Sequence, residues 1–218
     1  MTADIEPEPS AAGAVFGDRI ELARLFVGEL GVHGEQRGLI GPLEPPRLWT
    51  RHVLNSAVIA GAFVAATRVA DVGSGAGLPG LVLAIARPDI SWVLVEPMER
   101  RVTWLEEQVS LLGLENVEII RARAEEVASA EFDAVTARAV SALRTLLPLT
   151  APLVAPAGEL VLVKGASVHS EMAAADEQIR TFRLQQPRVE RWGEQFLAEP
   201  TTVFRARVGI RRGTRTEQ

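Results

Sequence analysis

Cysteine is absent from the 218-residue chain, which excludes disulfides, thiolate metal sites and a cysteine nucleophile together. No apolar run approaches the ~20 residues of a membrane span, although 47% of the residues are hydrophobic. A soluble, cytoplasmic protein without a membrane partner is therefore expected. The three histidines, His33, His52 and His169, have no ligand-like spacing, so no metal is expected. Lysine is reduced to Lys164, and histidines aside every other basic side chain is an arginine. Positive charge is lacking overall: the formal net charge of −5 argues against bulk attraction to nucleic acid. Its distribution is less hostile, because Arg205–Gln218 sets five arginines against one glutamate, and arginine pairs bidentately with phosphate and stacks on bases. The opening M-T-A-D-I-E-P-E-P-S has neither the basic start nor the apolar stretch of a secretory signal. A leader of that composition is expected to fray.

What is present is alternation. The length suits one α/β domain with a modest appendage. Residues 13–65 read as helical, with Leu22, Leu25, Phe26 and Leu30 at helical spacing, a Gly/Pro-rich break from Gly31 to Pro46, and a second helix from Arg47 to Ala65. Short β-like runs then alternate with amphipathic segments: Arg68–Val72 before Pro79–Arg87, Trp92–Val95 before Glu99–Leu112, Val117–Ile120, Phe132–Ala137 before Leu143–Val154, and Leu160–Val163. Such alternation predicts a mainly parallel sheet flanked by helices. The last runs, Arg188–Arg191 and Thr202–Ile210, have little helix between them and predict an antiparallel hairpin at one edge. The organisation expected is a helical extension over 1–66, a sheet domain over 67–210 and a basic tail over 211–218.

The densest motif is A-D-V-G-S-G-A-G-L-P-G, Ala70–Gly80, at the end of the first β run. Glycines at that density allow positive φ and let a ligand approach the backbone, and a strand, a glycine turn and a helix start make a nucleotide-type corner. Two readings compete. Gly75, Gly77 and Gly80 match G-x-G-x-x-G, which would point to a dinucleotide and an NAD(P)-dependent oxidoreductase. The strand is read to end at Val72, however, so the turn opens at Gly73, ahead of that match. D-x-G-x-G-x-G from Asp71 instead resembles motif I of the class I S-adenosylmethionine methyltransferases. Asp71 would sit badly against a pyrophosphate and well near a sulfonium or ammonium group.

Ligands of such sheets bind beyond the carboxyl ends of the strands, and those ends carry further chemistry. Glu96 closes V-L-V-E and is placed to accept both ribose hydroxyls of an adenosine, free of the core. R-A-R-A-E-E, residues 121–126, puts Glu125 and the Ala124 backbone where methyltransferases of this class contact adenine. Arg138 ends F-D-A-V-T-A-R, where amino-group methyltransferases carry an Asn/Asp-Pro-Pro-aromatic loop; no such loop is present. An exocyclic amine needs its lone pair freed, whereas guanine N7 presents one in the ring plane and requires only alignment and electrostatics. Arg47, Arg51 and Asn55 fall at i, i+4, i+8 on one helix face, with His52 beside them, and read as a grip on RNA phosphate or on the cofactor's edge. Lys164, ending the fifth β run, reads as an RNA or base contact.

Together D-V-G-S-G-A-G-L-P-G, A-R-P near Arg87, R-A-E-E at 123–126, R-A at 138–139, V-K-G at 163–165 and R-H-V-L-N-S at 51–56 resemble the RsmG (GidB) family of bacterial small-subunit rRNA guanine-N7 methyltransferases. The resemblance runs from Arg47 to Gly165. It implies a class I fold, Rossmann-like, with a mainly parallel seven-stranded sheet, an antiparallel edge hairpin and N-terminal helices. It also implies S-adenosylmethionine contacts at Gly73, Leu78, Ala124, Glu125 and Arg138, to which the residues themselves add Asp71, Gly75, Gly77 and Glu96. The expected substrate is N7 of a guanine in 16S rRNA, free or within the small ribosomal subunit or its precursor, gripped by Arg47, Arg51, His52 and Lys164, with the enzyme a monomer. The alternatives are the oxidoreductase and a non-catalytic nucleotide-binding module that docks RNA.

Overall fold

The computed structural model describes residues 5–65, 67–127, 132–138 and 141–209. Its strands are β1 (Arg68–Val72), β2 (Ser91–Val95), β3 (Val117–Ile120), β4 (Phe132–Arg138), β5 (Val154–Lys164), β6 (Leu184–Trp192) and β7 (Thr201–Val208). They form one sheet in the order β3-β2-β1-β4-β5-β7-β6. The first five pair in parallel, and β7 runs antiparallel to both β5 and β6. This is the seven-stranded, hairpin-edged sheet that the alternation predicts. Strand order reverses between β1 and β4, the place where an α/β sheet opens a crevice beyond its strand ends.

The helices are α1 (Ala11–Phe16), α2 (Ile20–His33), α3 (Asn55–Ala57), α4 (Gly80–Ala86), α5 (Glu99–Leu112), α6 (Leu143–Thr150), α7 (Val168–Ala174) and α8 (Asp176–Thr181). They leave two apolar layers. On one face Phe26, Leu54 and Ile59 of the N-terminal region pack with Leu81 and Trp92 in one continuous cluster. On the other, Phe132, Leu143, Leu147 and Phe204 form the second layer. Fully burying a side chain of this size contributes roughly 1.5–3 kcal/mol, so the N-terminal helices are held to the sheet mainly by their apolar face. Within α2 the stripe is narrower than the spacing indicates: Phe26 and Leu30 are buried, but Leu25 is 40% exposed.

Three departures from the sequence reading bear on function. First, the acidic leader is docked where described. The Glu6 N–H donates to the Pro45 carbonyl at 2.9 Å, the Glu6 carboxylate accepts the Thr50 N–H at 2.9 Å, and Glu8 pairs with Arg24. Second, the helix expected over 47–65 is broken into a 3-10 turn (Pro45–Arg47), a π-helical stretch (Leu48–Leu54), α3 and a second 3-10 turn (Val58–Ala62). Arg138 donates to the Arg51 and His52 carbonyls, and Ser56 Oγ donates to His52 O as well. Side-chain donors inserted into a backbone ladder widen it. Third, α7 and α8 gave no periodic signal, because Val168 is the only buried residue of the first and the second has none. Among the described residues no helix is long and apolar enough to cross a membrane. The basic tail over 211–218, and Ala139 of the R-A pair, lie outside the described residues.

Candidate active site

The glycine turn follows directly from β1, as the Asp71 register requires: Val72 is the last strand residue and Gly73 has φ +73. The Gly73 and Ser74 N–H groups donate to the Val95 carbonyl at 2.8 and 3.3 Å, tying the turn to the end of β2. Gly75 and Gly77 have φ of +55 and +92, but they serve differently. A Cβ on Gly77 would stand 2.4 Å from Leu81 Cδ1, so that position is closed by the helix it feeds. A Cβ on Gly75 would meet nothing nearer than the Gly73 carbonyl oxygen, 3.7 Å away. That open side is room for a ligand against bare backbone. Leu78, half-buried, packs on the first apolar layer. Pro79 precedes the first helical residue, Gly80, rather than lying within the first turn.

Both carboxylates of this corner hold it from inside. Asp71 has no exposed surface, and its Oδ2 accepts the Gly80 N–H at 3.0 Å, fixing the start of α4. Burial pushes its carboxyl up to about 7, against the lowering influence of the nearby Ser74 hydroxyl, which donates to the Asp71 main-chain carbonyl, and of the Gly80 N–H. Oδ1 is buried without a partner among the described residues. With no exposed surface this carboxyl cannot touch a ligand as it stands, so the expected direct contact with a cationic group is corrected: Asp71 shapes the cradle from behind by fixing Gly80, and the open side of Gly75 is the part that fits S-adenosylmethionine. Glu96 is only 1% exposed; its Oε2 accepts the Gly75 N–H at 2.9 Å and its Oε1 the Met98 N–H at 3.0 Å. The expectation that this side chain stands free of the core is corrected by those bonds. Each carboxylate oxygen has further lone pairs, so both keep acceptor capacity beyond the backbone donors.

Next along the sheet, Ala124–Glu126 forms a 3-10 turn after β3, with Ala124 buried and Glu125 exposed. Glu126, not singled out by sequence, fixes the turn by accepting the Arg123 N–H at 2.8 Å. Trp104 is a second residue that the sequence pattern does not single out. Its Nε1–H donates to the Ala76 carbonyl at 3.1 Å, and Arg37 lies over its ring at 5.3 Å. A tryptophan on the buried face of the helix after β2 was the available signal.

The other side of the crevice is built from β4 and the N-terminal region. Arg138 points its guanidinium into residues 51–56. Nη1 donates to His52 O and Ser56 Oγ, both at 3.0 Å, and Nη2 to Arg51 O at 2.9 Å and His52 Nδ1 at 2.8 Å. Burial, then the Arg51 charge, lowers its pKa to about 10. The arginine expected at the cofactor is thus first a strut for the segment beside it. Arg47, Arg51 and His52 converge on Glu44, at 2.7, 3.5 and 2.5 Å. Burial would raise the Glu44 carboxyl, and the His52 and Arg47 hydrogen bonds outweigh it, holding it below the usual range. Lys164 departs most from expectation. Its side chain is 8% exposed, and its ammonium lies 2.8 Å from Glu171 and 2.6 Å from the Ser141 carbonyl. Glu171 also accepts the Leu143 N–H at 3.0 Å. The lysine therefore closes the start of α6 against α7 and is not available to RNA as it stands. Among the described residues no cluster of histidine, aspartate or glutamate is arranged to hold a metal ion.

Comparison with known proteins gives the chain's relatives. A family model described as rRNA small subunit methyltransferase G (GidB) matches residues 19–197. The chain is 59% identical over 206 residues to the ribosomal RNA small subunit methyltransferase G of Clavibacter michiganensis subsp. michiganensis, covering 94% of this chain and 97% of that protein. It is 58% identical over 209 residues to the protein of the same name from Leifsonia xyli subsp. xyli, covering 95% and 100%. Among solved structures it resembles a SAM-dependent O-methyltransferase from Thermotoga maritima, with a TM-score of 0.59 and 18% identity over 87% of this chain and 73% of the other. A tRNA (m1A58) methyltransferase from Aquifex aeolicus matches with a TM-score of 0.55 and 15% identity, over 70% of this chain and 67% of the other. At such identities the structures speak for the fold alone, and none of these likenesses favours a dinucleotide enzyme.

Proposed function

We propose that this chain, which belongs to the rRNA small subunit methyltransferase G family, transfers a methyl group from S-adenosylmethionine to N7 of one guanine in 16S ribosomal RNA. The cofactor and the rRNA substrate class come with the family; the atom, the 16S molecule and the roles of single residues are our reading. One observation carries the choice of atom. The end of β4 presents Arg138, bonded into residues 51–56, where an amine-methylating enzyme of this fold would need an amine-activating loop.

S-adenosylmethionine supplies a methyl group on a positively charged sulfur. The chain supplies position and charge. The open face of Gly75, with Asp71 behind the turn and Glu96 beside it, would hold the adenosine and its sulfonium-bearing chain. Ala124 and Glu125 flank its base, and Leu78 lines the approach. Guanine N7 would accept that methyl group on a lone pair in the ring plane without losing a proton, so this chain need supply alignment and electrostatics but no general base. Arg47 and Arg51, 44% and 56% exposed at the side chain, stand at the rim for phosphate. In this reading the enzyme works as a monomer in the cytoplasm, on the small subunit or its precursor.

The test uses purified protein, S-adenosylmethionine carrying a labelled methyl group, and either naked 16S RNA or the assembled small subunit. Because N7-methylguanine is positively charged, borohydride followed by aniline should cut the product RNA at one guanine. Label recovered as N2-methylguanine or N6-methyladenine would overturn the assignment.

A further inference from the structure

Sequence reading takes His52 as a rim residue facing RNA or cofactor. Its side chain is 13% exposed, and both ring nitrogens are already engaged. Nδ1 lies 2.8 Å from Arg138 Nη2 and Nε2 lies 2.5 Å from Glu44 Oε2. Arginine has donors only, so Nδ1 must accept. In the neutral ring the proton then sits on Nε2 and is donated to Glu44. A second proton, on Nδ1, would set an N–H of one cation against an N–H of another. The main chain around the ring is held by the same arginine, through the Arg51 and His52 carbonyls and Ser56 Oγ.

We propose that His52 is a positioning residue: as its neutral Nε2–H tautomer it joins Arg138 to Glu44 and so fixes the N-terminal segment, with Arg47 and Arg51, at the acceptor side of the crevice. The substrate recognised through it is the RNA of the preceding proposal, on which the activity measurements rest. The charged groups facing the ring are Glu44 on the preceding loop, Arg51 on its own segment and Arg138 on β4, with Asp71 acting on Arg138 from β1. Burial, then the Arg138 charge, lowers the His52 pKa below its ordinary 6.5, with Glu44 opposing. The sign follows. A detached segment would bind the proton more readily than the docked one, so the bridge's contribution to docking is fully present above about pH 6.5 and fades as pH falls through the lowered value, while the apolar face still holds the N-terminal helices.

Two substitutions divide the bridge. In His52→Asn the amide oxygen stands near the place of Nδ1 and keeps an acceptor for Arg138; in His52→Gln the amide nitrogen reaches the place of Nε2 and keeps a donor for Glu44. Neither titrates. Long-range proton–nitrogen NMR on the wild-type protein reads tautomer and titration without any activity measurement. It should show the Nε2–H form, titrating below the ordinary histidine range; an Nδ1–H tautomer, or titration at or above that range, would overturn the proposal. Against small-subunit RNA, wild type should lose kcat/KM for RNA on the acid side while S-adenosylmethionine affinity stays level. Removing a buried partner costs roughly tenfold, so His52→Gln should fall by about that factor in kcat/KM for RNA and His52→Asn by less. The acid limb should vanish in both. An unchanged acid limb in both variants would sink the proposal, as would loss of cofactor affinity in parallel with activity. If wild type methylates no RNA, the preceding proposal fails while the NMR result still decides this one.

Discussion

The two sides of the crevice are held by contacts of different reach. On the cofactor side Asp71 bonds to Gly80, nine residues on, and Glu96 bonds to Gly75, 21 residues back. On the acceptor side Arg138 bonds to His52 and Ser56 across 86 and 82 residues. The first arrangement belongs to one strand, one turn and its neighbouring strand. The second exists only once the N-terminal region has packed on the sheet through Phe26, Leu54 and Ile59. A cofactor corner made locally can be complete while the acceptor side is not, so damage to the two should separate in binding measurements.

The largest separation should come from Gly77→Val. At φ +92 a branched residue is strained by about 1–3 kcal/mol, and its Cβ would lie 2.4 Å from Leu81 Cδ1 and 2.7 Å from Cγ, adding about 1–3 kcal/mol of overpacking. S-adenosylmethionine binding measured by calorimetry should be lost and thermal unfolding should move down by many degrees. The folded fraction should keep the His52 resonance of the docked segment. Binding that survives this substitution would show that the turn can be rebuilt, and the locality of the corner would no longer matter.

The same division decided what the sequence made legible. The seven strands, their hairpin ending and the glycine register were readable because each is a local pattern: alternation, a run of glycines, an acid at a strand end. Positions such as Arg138 and Lys164 were readable as strand ends, but not their partners. Nothing in R-H-V-L-N-S says that its backbone carbonyls are taken by an arginine of β4, nor that the ladder there widens to a π-helix in consequence. Glu44, between two prolines and a Gly-Pro-Leu stretch, has no periodic neighbour to mark it, although it gathers Arg47, Arg51 and His52. The first strand of the hairpin reads short in the sequence for a related reason: β6 bulges between Gln185 and Arg188, and polar residues there hide its alternation. Of the five arginines after Val203, Arg205 and Arg207 pair with Glu159 across the sheet, a commitment that charge counting along the chain does not reveal.

Glu96→Ala should give the next largest effect, and it sharpens the comparison because it couples binding to folding on the cofactor side. The side chain accepts two backbone N–H groups while 1% exposed, and leaving buried donors unmet costs about 1–3 kcal/mol each. A loss of roughly 2–6 kcal/mol in urea unfolding is expected, together with weaker S-adenosylmethionine binding. Reduced affinity with wild-type stability would mean that Glu96 serves the ribose alone, and that the turn is held by its main chain.

Arg51→Ala should have the smallest effect on the fold and isolates the acceptor rim. The side chain is 56% exposed and its Nε lies 3.5 Å from Glu44 Oε2, a solvated pair whose loss changes stability by about 0–1 kcal/mol. Its backbone carbonyl still accepts from Arg138, so the segment should remain docked and S-adenosylmethionine affinity should not move. RNA binding should weaken, and the slope of its logarithm against log salt should flatten by roughly one, the signature of a single lost phosphate contact. Glu44 is the competitor for that contact in the free protein, and an RNA phosphate must outbid it at the rim. An unchanged salt slope would mean that Arg51 stays with Glu44 in the complex, and that the segment serves RNA by its shape rather than by its charge.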